Sequence, residues 1–332
     1  VIVVTVPRSD QLVPEHPCCA TFKPVYYAMF VEPIKEHLAS VGCEVRDAEQ
    51  VERGVILRFT FPDGQKVSAI VDYADQVHID GLVKFAEGEF DFVFKMKPCD
   101  RFDEEYEFYS QNTLTAPPIH PYGYVIAPTY QGDPDDCNAN RKWFMKALDH
   151  DPELRKECGV PTTTAGVAFQ GGLRMERDLA HTRNLLTRGA FHAMGACPER
   201  QKLYDPDYDQ GDKSYDWKKH MYDVAAAGFV LNACGPDNTI DRKVVEFCAI
   251  GSVILSNDGL KDLRLPWGGR FVHGENVWWV SSPAEVRDVV ANMTEETRQK
   301  LIAGSRALWE RCFAPASIGA WLVKCATEEA YA

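Results

Sequence analysis

Gly228-Phe-Val-Leu-Asn-Ala-Cys-Gly-Pro-Asp-Asn-Thr-Ile-Asp-Arg-Lys-Val-Val-Glu-Phe-Cys-Ala-Ile-Gly-Ser-Val-Ile-Leu-Ser-Asn257 decides the fold. The stretch reads as a strand over 228–232, a glycine-bearing loop, a helix over 241–250, a glycine, and a buried strand over 252–255. An apolar run, a helical pattern and a second apolar run make a βαβ unit, which joins parallel strands. Its loop carries backbone N–H groups and a helix N-terminus to the carboxyl end of the sheet. Ligands bind there in open α/β folds, and anions favour that end of a helix. Arg242 lies in the first helical turn, where a cation opposes the macrodipole. A bound diphosphate would account for it. Glu246 follows one turn later on the same face, so a surface Arg242–Glu246 pair on an amphipathic helix accounts for it equally well.

The same alternation extends in both directions from this unit. A strand over 167–169 precedes Gly171-Gly172 and a helix that runs to Arg188 and ends at Gly189. A strand over 190–195, a helix over 214–226 and a strand over 277–280 follow the same logic, with helices over 283–291, 295–310 and 316–328. Strands alternating with helices predict a parallel, doubly wound α/β sheet. The first half is strand-rich and mixed. It has a strand over 1–6 and a helix over 21–41, kinked or split by Pro33 and capped by Gly42. A hairpin turns at Pro62-Asp63-Gly64-Gln65, where Asp-Gly supplies the turn. Strands over 90–95 and 122–128 and a helix over 143–148 complete it. Residues 128–165 are poor in order signals, which places the boundary near 155: one domain over 1–155 and a second over 156–332, with the C-terminal helices able to cross back.

Composition narrows the function. The chain has 332 residues, long enough for two cores. Its net charge of −13 excludes a broad nucleic-acid footprint, because phosphate-backbone binding needs a basic surface. A small phosphorylated ligand needs only a few local cations. No apolar run reaches the roughly 20 residues of a membrane span, and Val1-Ile2-Val3-Val4 is too short for a signal core. An upstream segment removed before Val1 stays open. The eleven cysteines form no Cys-x-x-Cys. They read as free thiols in a cytosolic setting, with peripheral membrane attachment or a secretory lumen as alternatives.

Residues 228–257 resemble the donor-binding segment of GT-B glycosyltransferases, above all exostosin-like enzymes and the capsule-associated protein O-glucosyltransferase group. The matching positions are Asn232, Gly235, Asp241, Arg242, Glu246, Gly251 and Ser252. The resemblance continues through Gly274-Glu275-Asn276 and the helix opening at Ser282-Pro283. It also takes in Val167-Ala-Phe-Gln-Gly-Gly-Leu-Arg174, which looks like the start of the second GT-B domain. It implies two Rossmann-like domains facing a cleft. It implies transfer of a sugar from a UDP- or GDP-sugar to a hydroxyl of a saccharide, lipid-linked glycan or protein, without a metal or other cofactor. The implied donor site is Gly171, Gly172, Arg174, Asn232, Gly235, Asp241, Arg242 and Glu246, with Arg242 on the diphosphate. In the first half, Asp72-Tyr-Ala-Asp75 and Asp91-Phe-Val-Phe-Lys95 resemble an acceptor-side pattern of related transferases. An inverting transfer needs a carboxylate or imidazole near the acceptor hydroxyl. Asp72, Asp75 and Asp10, each at a strand end, are the candidates; a solvated turn or N-cap is the alternative for each.

Competing motifs are weaker. Asp-x-Asp pairs that hold a metal in other transferases occur at Asp133/Asp135, Asp149/Asp151, Asp205/Asp207 and Asp207/Asp209, in stretches that read as polar loops. A Gly-x-Gly-x-x-Gly after the first strand is missing, which disfavours a dehydrogenase. An epimerase on the same fold, or a nucleotide-sugar-binding module without turnover, remains the alternative to a transferase.

Overall fold

The computed structural model describes residues 1–8, 30–49, 55–72, 90–95, 118–122, 134–155, 167–169, 217–232 and 242–332. Within them the chain forms two compact units. The first comprises Val1–Arg141, Asp262–Arg270 and Glu310–Ala332; the second comprises Lys142–Lys261 and Phe271–Trp309.

The first unit is built on a six-stranded sheet in the order β2-β1-β3-β4-β5-β6. Its strands are β1 (Val3–Val6), β2 (Glu44–Asp47), β3 (Ile56–Thr60), β4 (Lys66–Asp72), β5 (Phe92–Lys95) and β6 (Ile119–Pro121). Only β3 runs against its neighbours, because the 62–65 turn folds it back on β4. In that turn Gly64 takes φ +90° and the Asp63 carboxylate accepts from the Gln65 amide. The parallel pairs β1–β2, β4–β5 and β5–β6 bring the carboxyl ends of five strands to one edge.

Two strands differ from the sequence reading. β2 was not expected, because Glu-Val-Arg-Asp has no apolar period; charges of this kind are typical of an exposed sheet edge. β6 ends at Pro121, whereas the expected strand began at 122. Proline lacks a ladder donor but is tolerated on an edge strand, and β6 is the edge.

Helix α1 (Glu32–Ser40) starts with Pro33 in its first turn, where the missing N–H costs nothing. It ends as expected at Gly42, whose φ of +82° closes a Schellman pair: the Gly42 amide donates to Ala39 and the Cys43 amide to Leu38. The C-terminal helix α7 (Pro315–Ala330) packs on α1 and β4. Gly319 permits this approach, since a Cβ there would stand 2.1 Å from the His37 carbonyl oxygen. Trp321 donates its indole N–H to the Pro121 carbonyl, and His120 pairs with Glu329 at 2.8 Å.

The second unit carries a parallel sheet in the order β10-β9-β8-β7, as the alternation predicted: β7 (Val167–Phe169), β8 (Phe229–Asn232), β9 (Ile254–Ser256) and β10 (Trp278–Trp279). Helices α3 (Trp217–Ala226) and α4 (Arg242–Ile250) connect the first three strands. Phe229, Leu231, Val253 and Leu255 meet Val286 of α5 (Pro283–Asn292) and Leu301 and Ile302 of α6 (Glu295–Cys312) in one apolar core. Trp278 packs against that core, and the Trp279 amide donates to His273.

Helix α2 (Pro134–His150) is much longer than the expected 143–148. Pro134, Asp135 and Asp136 form its first turn, where acidic residues complement the helix dipole. Asp135 and Asp149 therefore belong to a helix, not to the polar loops expected of them. Asp151 just beyond it accepts from the Tyr222 hydroxyl at 2.6 Å. The expected helix after Gly172, the expected strand over 190–195 and the Asp205–Asp209 pairs lie outside the described residues. Five cysteines are described, all free, and burial pushes the Cys312 and Cys325 thiols up to about 12.

Two outcomes follow from the packing of α1. Gly319→Ala drives a methyl into the α1 backbone and lowers stability by about 1–3 kcal/mol in urea unfolding. His37 is buried, and desolvation reinforced by the Arg141 charge lowers its pKa from 6.5 to about 3. Between those values the unfolded chain binds a proton that the folded one refuses. Stability is therefore complete above pH 6.5 and falls with decreasing pH, at up to about 1.4 kcal/mol per unit. His37→Leu flattens this slope between pH 6.5 and 5, read by thermal or urea melts across that window.

Candidate functional site

Strands β8 and β9 are buried throughout and apolar until their last residues. Those last residues are Asn232 and Ser256, direct register partners at the carboxyl edge of the second sheet. The Asn232 side-chain amide donates to the Ser256 hydroxyl at 2.9 Å, and both residues are wholly buried. The third member of the row, Trp279, is partly exposed.

The chain leaves β8 at this edge and re-enters the described residues at Arg242, the first residue of α4. In a βαβ crossover the helix runs antiparallel to the strands, so the N-terminus of α4 stands at the same edge as Asn232 and Ser256. Lys243 and Glu246 follow on α4, both almost completely buried. Charged residues of this kind are rarely buried unless they are paired or coordinated. At its far end α4 closes with the same Schellman pair as α1. Gly251, at φ +82°, donates to Cys248, and the Ser252 amide donates to Phe247. Arg306 and Ser305 of α6 then hold the Ala249 and Ser252 carbonyls. The far end of α4 is therefore fixed by α6, which sets where its N-terminus falls.

The Gly274-Glu275-Asn276 loop is closed from within. Asn276 accepts from the Val272 amide, and the Gly274 amide donates to the Val277 carbonyl. Gly304 of α6 packs against it so closely that a Cβ would lie 1.9 Å from the Glu275 carbonyl oxygen. Ser282 caps α5 by accepting from the Glu285 amide, and Glu285 reaches back to the Ser281 amide. This segment is held together by turn and cap hydrogen bonds.

In the first unit, Asp72 and Lys95 are register partners at the last positions of β4 and β5. The Lys95 ammonium donates to Asp72 Oδ2 at 2.7 Å, with the two side chains 0% and 1% exposed. Beside them the Tyr122 amide donates to the Lys95 carbonyl. The Tyr122 ring turns to the opposite face, where burial pushes its phenol well above the usual range.

The structure thus places Asn232 and Arg242 at one sheet edge, Glu246 one turn further into α4, and Asp72 at another edge. Asp10, Asp75, Gly171, Gly172, Arg174, Gly235 and Asp241 lie outside the described residues. Two buried polar residues beside these positions, Ser256 and Lys243, were not singled out by the sequence reading, and Lys95 entered it only as the last residue of the Asp91–Lys95 pattern. Each is a polar residue that ends or adjoins an apolar run, and that signal was available. Among the described residues no group of His, Cys, Asp and Glu gathers to hold a metal, and no helix is long and apolar enough to cross a membrane.

No protein-family model and no curated protein matches the chain. Among solved structures it is similar to crystal structures of Anabaena Alr3699/HepE. The complex with UDP and glucose aligns with a TM-score of 0.42 and 11% identity over 78% of this chain and 71% of that one. The complex with UDP-glucose aligns with a TM-score of 0.42 and 12% identity over 77% and 69%. The complex with UDP gives 0.40, with 12% identity over the same shares.

The Asn232–Ser256 bond makes a direct prediction. Ser256→Ala removes the acceptor of a buried amide and lowers stability by about 1–3 kcal/mol, measured by urea unfolding.

Proposed function

We propose that the chain is a glycosyltransferase that moves a sugar from a UDP- or GDP-sugar to a hydroxyl of a saccharide or protein acceptor without a metal. One observation carries the reading. The N-terminus of α4 opens with Arg242 and the buried Lys243 at the carboxyl edge of a parallel sheet, over the buried Asn232–Ser256 pair. A cation at a helix N-terminus opposes the dipole, and a diphosphate bound there would offset that cost. Pre-placed cations and helix N–H groups stabilise a leaving diphosphate in the role a metal fills elsewhere.

In this reading residues 156–332 bind the donor. Gly171, Gly172 and Gly235 let the backbone approach the phosphates, Arg174, Asp241 and Asn232 line the site, and Glu246 completes it. Residues 1–155 present the acceptor. Its oxygen forms the new bond to the anomeric carbon. The bond from that carbon to the phosphate oxygen breaks, and its electron pair leaves on the nucleoside diphosphate. The acceptor proton passes to a carboxylate drawn from Asp72, Asp75 and Asp10.

A thermal-shift panel of UDP, GDP, CMP and ADP tests this. One nucleoside diphosphate raises Tm by mass action. Arg242→Ala weakens its binding by roughly 30-fold, about 2 kcal/mol, and abolishes donor turnover. If none of the four shifts Tm, or if Arg242→Ala binds and turns over as the unaltered chain does, the assignment is wrong.

A further inference from the structure

We propose that Trp267, backed by Trp321 of α7, is a stacking surface for a neutral saccharide ring on the first unit. The inference goes beyond the transferase reading, because saccharide binding at this place needs no nucleotide.

The observation is one of backbone conformation. Pro266-Trp267-Gly268-Gly269 makes a type I′ turn: Trp267 has φ 59° and ψ 22°, Gly268 has φ 65°, and the Gly269 amide donates to the Pro266 carbonyl at 3.1 Å. Both central positions of such a turn need positive φ, so Asn, Asp and Gly usually fill them. A bulky residue there is an outlier. Trp267 is the one non-glycine residue with positive φ among the described residues. Such conformations persist where the surroundings over-determine them, and they cluster at ligand-binding and active sites. The surroundings here are tight. Arg311 donates to the Trp267 carbonyl and the Cys312 thiol to the Pro266 carbonyl, and a Cβ at Gly269 would stand 2.3 Å from Cys312 Sγ.

A turn that had only to reverse the chain would carry asparagine or glycine at 267. Tryptophan adds a large flat apolar ring with one polar edge. The polar edges are used within the fold: Trp267 donates its indole N–H to the Ser317 carbonyl at 3.1 Å, and Trp321 donates its own to Pro121. The two rings meet edge to face at 5.2 Å, and both residues stay partly exposed. Pro121 ends β6, so the pair stands at the carboxyl edge of the first sheet, where α/β sheets bind ligands. Groups that can bond hydroxyls adjoin Trp321. The His120 ring, paired with Glu329, lies 6.3 Å from it, and Lys324 Nζ stands 5.3 Å from its centre. A pyranose has the matching chemistry, an apolar C–H face bordered by hydroxyls. A docked protein would instead need a broad apolar patch. Among the described residues the exposed large hydrophobics are Val1, Val272 and Tyr331. Val1 and Tyr331 lie at the amino end of the sheet, with Tyr331 on Asp63 of the 62–65 turn, and Val272 belongs to the second unit.

Isothermal titration of the full chain with cellobiose, lactose, maltose and chitobiose, in the absence of nucleotide, tests the surface. Sorbitol, an open-chain polyol without a ring face, is the control. At least one disaccharide binds and sorbitol does not. Trp267→Asn and Trp267→Gly both suit the positive φ, so the turn is kept while the ring is lost. Both weaken that disaccharide by about tenfold or more. Absence of binding by all four disaccharides overturns the proposal, and so does unchanged binding by the two variants; the transferase reading then stands or falls on its own nucleotide panel. Failure of both variants to fold gives Trp267 the task of holding its turn on α7 and also overturns the proposal. A disaccharide bound through Trp267, in a chain that no nucleotide stabilises, upholds the surface and removes the transferase reading.

Discussion

A parallel strand covered on both faces has few places for a polar side chain. Its backbone is used in the ladder, and its side chains alternate between two dry layers. What remains is the end of the strand, where the sheet meets the loops. Both sheets obey this constraint. In the second unit β8 and β9 are apolar until Asn232 and Ser256. In the first, β5 is apolar until Lys95, and the buried run of β4 closes on Asp72. Every buried polar pair considered above lies in such a terminal row, so the candidate chemistry follows from sheet architecture.

The two edges hold charge in opposite ways. At the first sheet the charges are matched: one ammonium meets one carboxylate in register, and the pair is locally neutral. At the second sheet cations collect at a helix N-terminus, which already carries partial positive charge. The field of a helix N-terminus is local and favours an anion whatever the sign of the chain as a whole. A net charge of −13 is no bar to a local site of this kind.

How far the chain could be read beforehand follows from the same physics. The βαβ pattern of 228–257 was legible because buried strands write continuous apolar runs and because Gly251 marks the end of α4 with a conformation other residues avoid. The 62–65 turn was legible for a similar reason, since Asp-Gly encodes its geometry directly. What escaped notice sat at edges. β2 is charged because it borders solvent, and β6 contains proline because an edge strand has a free side. The acidic start of α2 looked like loop because helix N-termini and loops draw on the same residues. The contact of Lys95 with Asp72 escaped because the two lie 23 positions apart, and only strand register brings them together.

That register is the step local sequence cannot supply. Asp72 alone looks like a strand-end aspartate, with a solvated turn as its ordinary fate. Lys95 alone looks like a cation closing an apolar run. Pairing β4 with β5 in parallel sets them side by side at 2.7 Å, away from water. A slip of one residue in β5 would send Lys95 to the opposite face and bring Phe92 and Phe94 to the face of Asp72. The apolar rows Ala69–Phe92, Ile70–Val93 and Val71–Phe94 forbid that slip, because each half of the sheet buries a different set. The hydrophobic core therefore determines where the charges meet: packing of the preceding three rows fixes a carboxylate–ammonium contact that packing itself does not require.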